Sequence, residues 1–158
     1  MLIVIHSGQT GVERGAHLAA VRYGITVAGF MPLDRRDEFG LIPEHVAAHL
    51  TPSLERGPRQ AVRANFGIAS AVLVLVPNAE QPERSAGVSW MLPAVRSVRI
   101  PFRIVDPSAS LAEVVNWAKR IPETAGSVRI QVAGPRETRW DAGESLAKRV
   151  VGALALEE

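Results

Sequence analysis

The chain has 158 residues, 47% of them apolar and 22% charged, and no cysteine. This is the budget of one globular domain over residues 1–158, with no disulfides and no thiolate metal site. Net charge is +2 and arginine so dominates lysine that the pI reaches about 9.7, yet the arginines are scattered and aromatics make up only 5%, which argues against a nucleic-acid platform and for a small anionic partner.

Leu2–His6 reads as a buried strand that stops at a small, polar loop, Ser7-Gly8-Gln9-Thr10-Gly11. Val12–Tyr23 then reads as a helix, ended by Gly24 at its C′ position. A strand running through a glycine loop into a helix directs backbone N–H groups and the positive helix end at one point, where anions bind. The loop lacks the lysine of a P-loop and the G-x-G-x-x-G spacing of a dinucleotide fold. The opening has no basic n-region, so no signal peptide is expected, and no apolar run is long enough to span a bilayer. The lack of cysteine fits a reducing cytoplasm.

Ile25–Gly29 reads as a short strand, and 31–58 as an irregular charged stretch containing Asp34-Arg35-Arg36-Asp37-Glu38. Arg59–Ala69 is helical. Ala71–Val76 is the strongest strand, apolar on both faces as in the middle of a parallel sheet. After a polar loop, a helix is predicted over Gly87–Arg96 and a strand over Phe102–Val105. Ser110–Ile121 reads as a helix with Ser110 as N-cap and Glu113 completing a capping box. A last strand, Ser127–Ala133, precedes a helix over Asp141–Leu154 with Asp141 as its cap. Strand and helix alternate throughout, which predicts a three-layer, Rossmann-like α/β fold with a doubly wound, mostly parallel sheet of five or six strands. Ligands bind beyond the carboxyl ends of such strands, where four loops emerge: 7–11, 30–40, 77–87 and 134–140.

Four segments, SGQTGVERG, GFMPLDRRDEFGLIP, PRQAVRANF and QVAGPRET, resemble in order the molybdenum carrier family. That family lies within the Rossmann-like group that includes the lysine-decarboxylase-like, cytokinin-activating nucleotide hydrolases. The resemblance implies a cytoplasmic homo-oligomer, dimer or tetramer, that binds an anionic pterin, such as molybdenum cofactor (molybdopterin), or a nucleotide. Position by position it carries over Gly8, Gln9, Thr10, Gly11 and Arg14 from the first segment. Arg35, Arg36, Gly40 and Pro43 come from the second, Arg59, Gln60 and Asn65 from the third, and Gly134 and Arg136 from the last. The chain also departs from the family pattern. Ser7 replaces a glycine, Glu13 stands where an aspartate is common, Leu33-Asp34 replaces a lysine-glycine pair, and the glycine loop after the central strand is reduced to Ala86-Gly87-Val88.

The expected ligand-binding set is therefore Ser7, Gly8, Gln9, Thr10, Gly11, Arg14, Arg35, Arg36, Arg59, Asn65, Gly87, Gly134 and Arg136. Arginines would grasp the anion with bidentate hydrogen bonds, while Asn65 reads a ring edge or holds a loop. His45 and His49 are spaced four apart but lack the glutamate of a zinc helix and a third ligand, so they read as surface residues. Three functions fit these residues: a carrier without chemistry, a nucleotide hydrolase, and a degenerate oligomeric binding module. The hydrolase relatives carry P-G-G-x-G-T-x-x-E in the loop after the central strand. No acid follows Gly87 in the corresponding stretch, 84–93, which counts against that reaction.

Overall fold

The computed structural model describes residues 1–157. Its elements follow in the order β1 (Leu2–Ile5), α1 (Val12–Arg22), β2 (Thr26–Ala28), β3 (Phe30–Met31), β4 (Arg36–Asp37), β5 (Gly40–Leu41), α2 (Glu44–Ala47), β6 (Thr51–Pro52), α3 (Pro58–Phe66), β7 (Ala71–Leu75), a 3-10 turn (Pro82–Arg84), α4 (Met91–Ser97), β8 (Phe102–Val105), α5 (Leu111–Lys119), β9 (Val128–Ala133) and α6 (Gly143–Leu156). Five strands form one sheet in the order β2-β1-β9-β7-β8, with every pair parallel. The last strand, β9, lies between β1 and β7, so the loops that end these three strands are neighbours.

Alternation along the strands divides the core in two. On one face Val4, Leu73, Leu75, Ile130 and Val132 pack with residues of α1, α5 and α6. On the other, Val72, Val74, Val76 and Ala133 pack with Val62 and Phe66 of α3 and Met91, Leu92 and Val95 of α4. The sheet is thus covered on both faces, and β7 is buried along its whole length. Helices α1 and α6 approach closely because Gly15 has no side chain. A Cβ there would sit 2.3 Å from the Glu144 carbonyl oxygen.

Several local expectations hold. Gly24, at φ 70°, ends α1 and Ile25 N–H donates to Ala20 O at 2.8 Å. Ser110 caps α5 by accepting from Glu113 N–H. The capping box does not close, because the Glu113 carboxylate faces Arg103 instead, at 3.5 Å. Asp141 is not the cap of the last helix: α6 begins at Gly143, and Ala142 precedes it without a side-chain cap. The helix expected from Gly87 begins at Met91. The stretch 31–58 is not wholly irregular. It holds the β4–β5 hairpin, the single turn of α2, and a two-stranded parallel pair, β3 with β6. These pieces are two to four residues long, too short for periodicity to register.

Candidate functional site

The loops that follow β1, β7 and β9 meet the start of α3 around a cleft of about 230 Å³ beyond the carboxyl ends of the strands. Gln9, Glu13, Arg59, Gly87, Trp90, Gly134, Arg136 and Arg139 line it. Gly134 lets the third loop come this close, since a Cβ there would lie 2.5 Å from the Leu75 carbonyl oxygen. Gly11, at φ 74°, meets the same loop, and a Cβ on it would sit 2.6 Å from Pro135 O.

The first loop is knitted into the fold. The backbone N–H and the hydroxyl of Ser7 both donate to Glu13 Oε1 at 2.6 Å. Gly8 N–H donates to His6 Nδ1 at 2.9 Å, and Val12 N–H to Pro135 O at 3.3 Å. The Thr10 hydroxyl donates to Glu38 and accepts from Glu137 N–H. Among the described residues nothing accepts from the backbone N–H groups of Gln9, Thr10 and Gly11. Of the loop's side chains, only that of Gln9 borders the cleft; its amide donates to Arg36 O at 3.2 Å.

Glu13, in the first turn of α1, is only 4% exposed. Both lone pairs of its Oε1 are occupied by Ser7, while Oε2 has no protein partner and is not sealed off from solvent. Burial pushes this carboxyl up to about 7, against the Ser7 hydrogen bonds and the charge of Arg14. The cleft therefore contains a carboxyl group that changes charge near neutrality.

Arg14 turns away from the cleft. Its guanidinium donates to Gly8 O and to Asp37 Oδ2, each at 3.0 Å. With Asp37 it pins the β4–β5 hairpin against the first loop. Glu38, next along the hairpin, accepts from Thr10 and Thr138 and lies 3.4 Å from Arg136 Nε. Burial works to raise this carboxylate, but those hydrogen bonds and the Arg136 charge leave it below its ordinary value. Arg35 and Arg36 are exposed on the hairpin and do not line the cleft. Asn65, wholly buried, holds a loop: it accepts from Phe30 N–H at 2.7 Å and donates to Phe30 O at 3.1 Å.

The cations on the far side of the cleft are freer. Arg59 and Arg63, one turn apart on α3, both stack on the Trp90 ring, at 5.3 and 5.4 Å from its centroid. Arg136 is 46% exposed, and Arg139 sits on the same turn because its N–H donates to Arg136 O. Of the expected set, Gln9, Arg59, Gly87, Gly134 and Arg136 converge on the cleft. Ser7 acts on it through Glu13, while Gly8, Thr10, Gly11 and Arg14 lie outside its lining and hold the first loop in place. Arg139 and Glu13 were absent from that set. No helical spacing could have found them, because Gln9, Arg136 and Arg139 lie in loops outside α1 and α6.

All four histidines of the chain cluster away from the cleft. His6 Nε2 lies 3.0 Å from His17 Nδ1, and the His17 ring meets His49 edge-on at 5.0 Å. Since His6 Nδ1 accepts from Gly8 N–H, its Nε2 carries the proton and donates to His17. His45 and His49 are exposed as expected, but α2 ends at Ala47, so they do not share a helical face. Burial holds His6 well below its ordinary value and lowers His17 to about 4, with neighbouring positive charge adding to both.

Residues 4–155 match the circularly permutated YpsA SLOG family. The chain belongs to that family. No curated protein matches this SLOG-family chain in sequence. Among solved structures it is similar to one from Syntrophus aciditrophicus named "Putative molybdenum carrier protein", with 18% identity, a TM-score of 0.81, and coverage of 96% of this chain and 93% of that one. The likeness extends over both chains and establishes the shared α/β fold, in agreement with the family resemblance read from the four sequence segments.

Proposed function

We propose that the cleft binds a small anionic ligand with a planar ring, of nucleotide or pterin type, and that the protein carries this ligand without transforming it. One observation supports the reading above the others: the guanidinium groups of Arg59, Arg136 and Arg139 converge with the half-buried Trp90 ring beyond the carboxyl ends of the sheet. Guanidinium forks suit a phosphate and an indole face suits a heterocycle. The first loop borders the site at Gln9, whose unpaired backbone N–H supplements the arginines. The name of the Syntrophus relative makes molybdenum cofactor, a phosphate-bearing pterin, the cargo to test first. With no cysteine to ligate the metal, such a cargo would be held by its phosphate and its ring.

Calorimetric titration with nucleoside monophosphates tests the reading. Binding should weaken about tenfold or more in Arg136→Ala with Arg139→Ala, the loss of charge-assisted hydrogen bonds. Equal affinity in the double variant would remove the cleft as the site. For the cofactor itself, protein isolated from a host that makes it should contain molybdenum by elemental analysis. We also propose that copies associate in the cytoplasm. Leu33, Phe39, Leu41 and Leu54, which are 48 to 94% exposed, support an apolar contact that sedimentation would detect as a dimer or tetramer.

A second reading, hydrolysis of a nucleotide's N-glycosidic bond, draws support from Glu13. The carboxylate missing after Gly87 has a counterpart on the cleft wall, where a carboxyl near neutrality suits acid–base work. Release of free base from nucleoside monophosphates, lost in Glu13→Gln, would favour hydrolysis over carriage.

A further inference from the structure

The ligand's anionic end has guanidinium partners in abundance, whereas the Glu13 side of the cleft presents a carboxylate oxygen with no protein partner. Glu13 is almost wholly buried, and its Oε1 is saturated by the two Ser7 donors at 2.6 Å. That clamp fixes the carboxyl plane and leaves Oε2, an acceptor without a partner, as the atom a ligand meets. A ligand that fills the cleft displaces water from this oxygen, so one that supplies donors in its place is selected over one that does not.

We propose that Glu13 reads the ring edge of the ligand, its Oε2 accepting from the adjacent N–H and exocyclic amino groups of a 2-amino-4-oxopyrimidine, the edge common to guanine and pterin. The assignment rests on the ligand-binding reading of the cleft and narrows the ligand class. One oxygen with two lone pairs matches two neighbouring donors. Adenine offers an amino group beside an acceptor nitrogen, and uracil an N–H between two carbonyls whose lone pairs oppose a carboxylate. Guanine and pterin alone among the common rings place two donors side by side. Discrimination by a site built to hydrogen-bond a particular group is large, because the analogue lacking it leaves that group unpaired.

The charge state of Glu13 provides a second handle. As a carboxylate it accepts both donors; protonated, it opposes them with a hydrogen. Its titration near 7 places this change within the accessible pH range. Arg14 beside it, and Arg59, Arg136 and Arg139 around the cleft, act alike on both members of a pair; GMP and IMP share one phosphate, and the two pteridines carry none.

The experiment compares GMP with IMP, which lacks only the amino group, and 6-hydroxymethylpterin with its 2-oxo counterpart, 6-hydroxymethyllumazine, on the full chain by calorimetry. The tighter-bound amino-bearing ligand identifies the guanine or pterin source. The expected result is a preference of about tenfold for the amino-bearing member of at least one pair. That preference should grow as pH rises from about 6 to 8 and vanish in Glu13→Gln, which weakens GMP more than IMP because IMP loses only the acceptor for its ring N–H. Should the variant fail to fold, the ratio and its pH dependence in the natural chain still decide. Equal affinities within both pairs, or a preference that survives Glu13→Gln, would overturn the role of Glu13 while leaving the cleft a binding site. Failure of all four compounds to bind would overturn both.

Discussion

Replacing Glu13 by glutamine should make the protein more stable, and by an amount that depends on pH. Burial raises the Glu13 carboxyl from 4.5 to about 7, so the folded chain holds a proton that the unfolded chain gives up near 4.5. Folding therefore takes up a proton between these limits, and stability falls as pH rises through the window. At about 1.4 kcal/mol per pH unit, the buried anion costs on the order of 3 kcal/mol above neutrality. Glutamine mimics the protonated acid, because its carbonyl still accepts from Ser7 N–H and Oγ–H. The variant should match the natural chain near pH 4.5 and exceed it by roughly 3 kcal/mol at about pH 8, a rise of roughly 6–12 °C in Tm. Urea denaturation across that range, read as the difference between the two proteins, cancels the opposing titration of the histidines. Parallel profiles would refute the assignment of a buried, proton-holding carboxyl.

Gly15→Ala should cost about 2 kcal/mol in chemical denaturation, since overpacking against the Glu144 carbonyl outweighs the gain in helix propensity; a stabilised variant would mean that α1 and α6 separate freely. His17, lowered to about 4 by burial and then by the charges of His49, His45 and Arg14, binds its proton less readily when folded. Stability should be lost as pH falls from about 6.5 towards 4, and His17→Gln should lessen that loss by up to roughly 3 kcal/mol. Asp37→Asn removes the charge facing Arg14 and should speed amide exchange in the β4–β5 hairpin, notably at Ile42, whose N–H donates to Arg35 O. Unchanged exchange there would show that the hairpin is held by other contacts.

The sheet was readable in the sequence because its strands are near-continuous apolar runs separated by helices with clear stops, of which Ala71–Leu75 and Gly24 are the plainest. Of the cleft, the sequence marked the loops after β1, β7 and β9 along with 30–40, which contributes no lining residue, but not the strand order that sets the first three side by side. Individual side chains were harder. Arg14 looks like an anion ligand when only its own helix is considered. Its partner Asp37 lies 23 residues away on a hairpin too short to leave a periodic signal. Asn65 likewise turns to the Phe30 backbone, a contact across 35 positions. Glu13 looks like any acid in the first turn of a helix until burial and the Ser7 clamp give it a different role. The histidines, scattered along the sequence at 6, 17, 45 and 49, form one cluster only after α1 and α2 pack beside β1.

A crystal structure of the protein grown with GMP tests the proposed site most directly. The phosphate should lie against the guanidinium groups of Arg136 and Arg139, the ring beside Trp90, and the amino edge within hydrogen-bonding distance of Glu13 Oε2. A nucleotide bound elsewhere on the surface, or a cleft that stays empty at saturating concentration, would contradict it.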